Sequence, residues 1–126
     1  MSRKKRILIV DDQAIYREPM AVALEANGYK TVCAKDDHEA MFALQSNPTL
    51  FELILLDYSM PGMNGITFLE EIRKNVNWSE IPVVILTDVA EKELVLKARE
   101  LRVREYLVKA NFSLDELLRC VEKCTK

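Results

Sequence analysis

Five short apolar runs, evenly spread along the chain, constrain its fold more than any other feature. They are residues 7–10 (ILIV), 31–34 (TVCA), 53–56 (LILL), 83–86 (VVIL) and 105–108 (EYLV), with starts 24, 22, 30 and 22 residues apart. Each interval leaves room for one helix and two loops. Uninterrupted runs such as Leu53-Ile54-Leu55-Leu56 suit strands covered on both faces. Strand and helix alternating in this way imply an α/β fold, a doubly wound parallel sheet with right-handed crossovers.

The helices between the runs carry their own signals. The first follows Asp12 and stops near Asn27-Gly28, a C-terminal glycine signal. Pro19 falls inside it, so it either starts late or kinks. The second opens at Asp36-Asp37 and ends before Asn47-Pro48. The third starts near Asn64-Gly65, with Ile66, Leu69 and Ile72 on one side. The fourth spans about 89–101, with Ala90, Leu94 and Ala98 at four-residue steps. The fifth begins at Ser113-Leu114-Asp115-Glu116, a capping-box pattern, and its inward stripe is Leu114, Leu117, Leu118 and Val121.

With 126 residues, the chain reads as a single domain over 1–126, and no residues remain for an effector domain. A net charge of −2 gives no support for bulk binding to nucleic acid or an anionic membrane. The longest apolar runs have five residues, against the ~20 needed to span a bilayer. Four apolar residues ending in Asp11-Asp12 do not make a secretory signal, so a cytoplasmic location is expected. Three cysteines, Cys33, Cys120 and Cys124, agree with a reducing compartment. Cys120 and Cys124 are four apart and can share a helix face, and reduced, structurally minor thiols are the expectation.

Chemistry gathers after the strands. Asp11 and Asp12 follow the first, Asp57 the third, Thr87 the fourth and Lys109 the fifth. The second delivers only Lys35 and Asp36, which suits an outlying strand. Ligands of open parallel sheets bind outside the carboxyl ends of the strands, where strand order reverses. Three carboxylates in one crevice repel unless a cation relieves them. Mg²⁺ fits, because it takes oxygen ligands, keeps waters and binds carboxylate together with phosphate. Thr87 and Lys109 then serve as partners of an anion. A carboxylate can itself be a nucleophile toward phosphorus. Asp57, alone on a central strand before the turn-rich loop 58–65, is the best placed. Taken singly, Asp12 and Thr87 read as helix caps and Lys109 as a solvated surface lysine. Their coincidence at the same ends of four strands favours a site.

The chain resembles a response-regulator receiver domain of two-component phosphorelays. The resemblance rests on ILIVDD at 7–12, LLDYSMPGMNG at 55–65, IPVVILT at 81–87 and YLVK at 106–109, and it covers essentially the whole chain. It implies a flavodoxin-like five-stranded sheet in order 2-1-3-4-5. Asp57 resembles the phosphoacceptor. Asp12 and Asp57 resemble Mg²⁺ ligands, with the Ser59 carbonyl as a third, and Asp11 resembles the holder of a metal-bound water. Lys109 resembles the cation that pairs with the phosphoryl oxygens. Thr87 and Tyr106 resemble a switch pair reporting to the face formed by helix 4, strand 5 and helix 5.

Implied partners are a histidine kinase or phosphotransfer protein and an output protein at that face, with a homodimer on phosphorylation as a further expectation. The resemblance also implies a signalling domain that assists only its own phosphorylation and dephosphorylation. Three positions depart from the family pattern. Asp88 replaces a small residue and points either at the pocket or at solvent. Ala110 replaces a proline often preceded by a cis bond, so the Lys109–Ala110 bond is either trans or strained. Arg102-Val103 replaces Gly-Ala, which predicts an altered end to the fourth helix.

Other readings have less support. An adaptor acting without phosphorylation leaves the intact acidic set unexplained. A Mg²⁺-dependent phosphohydrolase would need a cap insertion and a second acid where Ser59 stands. A dinucleotide enzyme would need G-x-G-x-x-G, which three scattered glycines do not form. Arg99, Arg102 and Arg104 read as a solvated or partner-facing cluster rather than a nucleic-acid site.

Overall fold

The structure, a computed structural model, describes residues 4–46, 50–60, 62, 64–88 and 91–126. Arg3 and the residues before it, the expected turn at Asn47-Pro48, Pro61 and Met63 of the loop after Asp57, and Val89 and Ala90 at the expected start of the fourth helix lie outside the described residues.

Strands and helices alternate: β1 (Arg6–Val10), α1 (Ala14–Ala26), β2 (Lys30–Ala34), α2 (Asp37–Ser46), β3 (Phe51–Asp57), α3 (Gly65–Lys74), β4 (Val83–Thr87), α4 (Lys92–Glu100), β5 (Glu105–Val108) and α5 (Leu114–Cys124). The strands form one sheet in order β2-β1-β3-β4-β5, and every pairing is parallel. The expected fold class and strand order are therefore observed. β2 is an edge strand, which accounts for its small contribution to the carboxyl edge.

Alternation along the strands builds two cores. Leu8, Val10, Ile54, Leu56, Val83 and Ile85 face one side, where Ala40 and Leu44 of α2, Leu69 and Ile72 of α3, and Leu94 and Ala98 of α4 cover them. Ile7, Ile9, Leu53, Leu55, Val84 and Leu86 face the other, under Met20 and Leu24 of α1 and Leu117 and Val121 of α5. Most of these side chains are fully buried, each contributing about 1.5–3 kcal/mol of transfer free energy.

Several helix termini differ from the expectation for physical reasons. α1 starts at Ala14, so the late-start alternative falls, and Pro19 sits on its exposed side. The N-cap of α1 is Gln13 rather than Asp12, and that of α4 is Glu91 rather than Thr87. α5 buries Leu117, Cys120, Val121 and Cys124. Leu114 departs from the expected inward stripe: it is the first residue of the helix and is 42% exposed.

The end of α4 falls at the Arg102-Val103 departure. Arg102 adopts φ 60°, while the Val103 N–H donates to the Ala98 carbonyl at 2.9 Å and the Arg102 N–H to Arg99 at 3.1 Å. These are the two bonds of a Schellman ending. An arginine takes the left-handed position that glycine favours, at a cost of about 1–2 kcal/mol. The Lys109–Ala110 peptide is trans, as are all peptides among the described residues.

Arg73 ties this region together. Its guanidinium donates to the carbonyls of Leu101 at 2.8 Å, Ile81 at 2.8 Å and Ser79 at 3.1 Å, joining α3, the approach to β4 and the end of α4. Burial, with help from the Arg102 charge, draws the Arg73 pKa below its ordinary value. Bonds from a charged donor are each worth about 1.5–3 kcal/mol, and losing the donor strands the acceptors. Arg73→Met should lower unfolding free energy by about 2–4 kcal/mol with an unchanged urea m-value. A loss under about 0.5 kcal/mol in urea titration would show that water replaces the guanidinium without penalty.

Candidate functional site

Parallel strands bring their carboxyl ends to one edge, and strand order reverses between β1 and β3. Asp11 directly follows β1, Asp57 ends β3, Thr87 ends β4 and Lys109 directly follows β5. Leu86 of β4 pairs with Asp57, and Thr87 pairs with Val108, so these ends lie level. The Lys109 N–H donates to the Thr87 carbonyl at 2.7 Å. Asp11, Asp57, Thr87 and Lys109 are all buried, whereas Asp12 is exposed.

The buried ammonium of Lys109 organises the crevice. Its Nζ lies 3.1 Å from Asp57 Oδ2 and 3.0 Å from Asp11 Oδ2. The contact with Asp57 has hydrogen-bond geometry. Asp11 Oδ2 is a buried oxygen with no hydrogen-bond partner of good geometry, despite its charge contact. Asp57 Oδ1 accepts the Ser59 N–H at 2.9 Å, and Asp11 Oδ1 accepts the Gln13 N–H at 2.9 Å. Ser59 Oγ and Thr87 Oγ1 are 3.5 Å apart. Asp88 donates its backbone N–H to Ser59 Oγ at 3.3 Å and is exposed, which agrees with the solvent-facing alternative.

Helix ends explain how these carboxylates stay available. With Gln13 as the α1 cap, Asp12 is not consumed as one. The Asn64 side chain accepts from the N–H groups of Ile66 and Thr67 and so fixes the start of α3. Gly65 there packs on Tyr58, because a Cβ would come within 3.1 Å of the Tyr58 ring. That close approach holds the loop after Asp57 against the helix that follows.

Burial raises the Asp57 pKa to about 6; the Asp11 charge adds to this, and the Ser59 N–H and Lys109 oppose it. Burial also works against the Lys109 charge, but hydrogen bonds and charge from Asp11 and Asp57 outweigh it and hold its pKa above the ordinary value. Carboxylate oxygens of Asp11, Asp12 and Asp57 can lie within 4.8 Å of one another. Three carboxylates against one ammonium leave two negative charges, the complement of a divalent cation. An all-oxygen donor set with an orphaned buried oxygen fits Mg²⁺ better than a softer ion.

Tyr106 stands away from the crevice. It pairs with Ile85, two residues short of Thr87 along the sheet, and is 40% exposed. It lines a groove of about 570 Å³ with Val95, Arg99, Arg104 and Lys123, between α4 and α5.

Three contributors were missed in the sequence. Gln13 Oε1 lies 3.4 Å from Lys109 Nζ, the Tyr16 ring centroid 4.3 Å from it, and Arg17 Nη1 donates to the Asp11 carbonyl at 2.8 Å. The ring offers the ammonium a cation–π contact worth about 0.5–2 kcal/mol. Their one signal is position, on the first turn of the helix that follows the double aspartate.

The raised pKa of Asp57 gives stability a signed pH dependence. Its folded value, about 6, lies above the ordinary ~3.9 of an unfolded aspartate. Its stabilising contribution is thus full below pH ~4 and is lost as pH rises through ~6. In chelator, the wild type should lose on the order of 1–3 kcal/mol between about pH 4.5 and 7.5 relative to Asp57→Asn. Parallel pH profiles of the two proteins in urea titrations would refute this origin.

Comparison with known proteins agrees with the geometry. The family model described as "Response regulator receiver domain" matches residues 7–122. The phosphate regulon transcriptional regulatory protein PhoB of Escherichia coli K12 is 38% identical over 114 residues, 90% of this chain and 48% of PhoB. The chain thus spans about half the length of that relative. A probable chemotaxis protein CheY of Rhizobium etli is 32% identical over 123 residues, 97% of this chain and 93% of that protein. Among solved structures, Vibrio cholerae chemotaxis protein CheY4 superposes with a TM-score of 0.89 at 26% identity, covering 97% of this chain and 99% of that one. The non-phosphorylated HemR receiver domain of Leptospira biflexa gives 0.87 at 32% identity, covering 98% and 95%. A matching family model over nearly the whole chain, the strand order and the strand-end residues agree: this chain belongs to the response-regulator receiver domain family.

Proposed function

We propose that Asp57 accepts a phosphoryl group from a histidine kinase or phosphotransfer protein, and that the modified domain controls a partner through the face of α4, β5 and α5. The observation that carries this reading is the buried Asp57 carboxylate at the sheet's carboxyl edge. It pairs with the buried Lys109 ammonium, within reach of two further carboxylates.

In the reaction an Asp57 carboxylate oxygen attacks phosphorus. A phosphorus–oxygen bond forms, and the bond to the donor breaks with its electron pair leaving on the donor. The Ser59 N–H and Lys109 hold the carboxylate in place. Lys109 then has a second role, meeting the negative charge that arrives on the phosphoryl oxygens. Asp12, Asp57 and the Ser59 carbonyl would hold Mg²⁺, with Asp11 holding one of its waters, and the ion would supply positive charge against the crowded carboxylate and phosphoryl oxygens.

Thr87 and Tyr106 form the proposed readout. A phosphoryl group adds about −1.5 to −2 charge and strong acceptors, and the Thr87 hydroxyl turns toward it. The space vacated behind Thr87 receives the Tyr106 ring, which leaves the groove between α4 and α5. The relatives' names point to two outputs, transcription and chemotaxis.

Incubation with acetyl phosphate and Mg²⁺ should add one phosphoryl mass by mass spectrometry. Asp57→Asn should abolish it, and Asp12→Ala or EDTA should nearly do so. Full labelling in EDTA would remove the cation from the proposal. For the readout, Thr87→Ala should still label at Asp57, while the Tyr106 NMR shift induced by beryllofluoride should fall to less than half its wild-type size. Equal shifts in both proteins would mean that Thr87 and Tyr106 are not coupled.

A further inference from the structure

At the amino edge of the sheet, opposite the acidic crevice, a second cluster of ligating side chains meets. Glu105 opens β5, and Cys120 and Cys124 lie one turn apart on the inward face of α5. Both cysteines are more than nine-tenths buried. Cys120 Sγ lies 3.6 Å from Glu105 Oε2, and the two sulfurs and a Glu105 oxygen all fall within 4.8 Å of one another. We propose that Glu105, Cys120 and Cys124 form a second cation site that takes Zn²⁺, independent of the phosphorylation chemistry proposed for Asp57.

Donor chemistry selects the ion. Thiolates prefer soft or borderline cations, which excludes Mg²⁺, and two sulfurs with one carboxylate are within the ligand range of Zn²⁺. Charge selects a divalent over a monovalent ion. Two thiolates and a carboxylate carry three negative charges; Zn²⁺ and the Lys123 ammonium, 2.8 Å from Glu105 Oε2, carry three positive ones. The loaded cluster is therefore neutral, which limits the cost of burying it.

Geometry disfavours the competing outcome, a disulfide. Helical neighbours four apart have Cβ atoms about 5–6 Å apart, whereas a disulfide needs roughly 3.5–4.5 Å. A bridging cation spans the wider gap. On binding, two S–H bonds break, two Zn–S bonds form, and both protons go to solvent. Three protein ligands leave a fourth position for water. The site would fasten α5 to the amino end of β5, beside the face proposed for output.

Co²⁺ is the spectroscopic probe, because thiolate ligation gives it an intense near-ultraviolet charge-transfer band. One equivalent added to the reduced full chain should produce that band. Zn²⁺ should abolish it stoichiometrically, and a large excess of Mg²⁺ should not. Cys120→Ser and Cys124→Ser should each lose most of the band, and Glu105→Gln should weaken affinity about tenfold or more. Cys33→Ser and Asp57→Asn should keep the band, so failure here and failure of phosphorylation at Asp57 are separable. Absence of the band in the wild type, or its loss only in Cys33→Ser, would overturn the proposal without requiring either buried-cysteine variant to fold.

Discussion

A sheet buried on both faces leaves its strands no room for polar side chains except at their ends, and most of this molecule follows from that constraint. The central strands β1, β3 and β4 are apolar at nearly every position between their ends, and both cores depend on it. An ionised group in mid-strand would require desolvation without a partner, at a cost of several kcal/mol. Polar chemistry is therefore displaced to the strand termini. Because all pairings are parallel, the carboxyl termini share one edge. Asp11, Asp57, Thr87 and Lys109 meet there although up to 98 residues separate them in sequence.

The same burial explains why these groups depend on one another. Lys109 is a buried cation that can remain charged only because Asp11 and Asp57 face it. Asp57 in turn has a raised pKa because burial and the Asp11 charge outweigh what the Ser59 N–H and the Lys109 ammonium return. The crevice is left electrostatically incomplete by two negative charges. A site completed by ions from solution can respond to them, whereas a fully compensated network would only rigidify the fold. The cation–π roof from Tyr16 and the Gln13 contact hold Lys109 without supplying negative charge, so they leave that imbalance in place.

Much of this was readable from the chain because it depends on periodicity. All five strands lie within two residues of the apolar runs, and the strand-end residues fall where alternation of strand and helix places them. What escaped the sequence depends on tertiary surroundings. Gln13 and Tyr16 look like ordinary first-turn residues until Lys109 arrives from the far end of the chain. Leu114 fits the apolar period of α5, but at the first position of the helix it is left 42% exposed. The left-handed conformation of Arg102 at the end of α4 is likewise set by backbone bonds to Ala98 and Arg99, which outweigh its steric cost.

Magnitudes limit what a switch at Thr87 can do under the proposed function. Thr87 is buried, and its hydroxyl lies 3.5 Å from Ser59 Oγ. A new hydrogen bond from that hydroxyl to a phosphoryl oxygen contributes about 1.5–3 kcal/mol. That shifts a two-state equilibrium by roughly 10- to 150-fold, whereas moving from 1:99 to 99:1 needs about 5.5 kcal/mol. Thr87 alone therefore cannot drive a complete switch. The remainder must come from another group that binds the phosphoryl differently in the two states, and Lys109 is the charged candidate in the crevice. Its backbone N–H is bonded to the Thr87 carbonyl, so movement at Lys109 bears directly on the strand end that carries Thr87. β5 links that strand end to Tyr106 and the α4–α5 groove. Under the proposed function each residue supplies part of the free energy, so loss of the Thr87 hydroxyl should leave a phosphorylated domain that is only partly shifted.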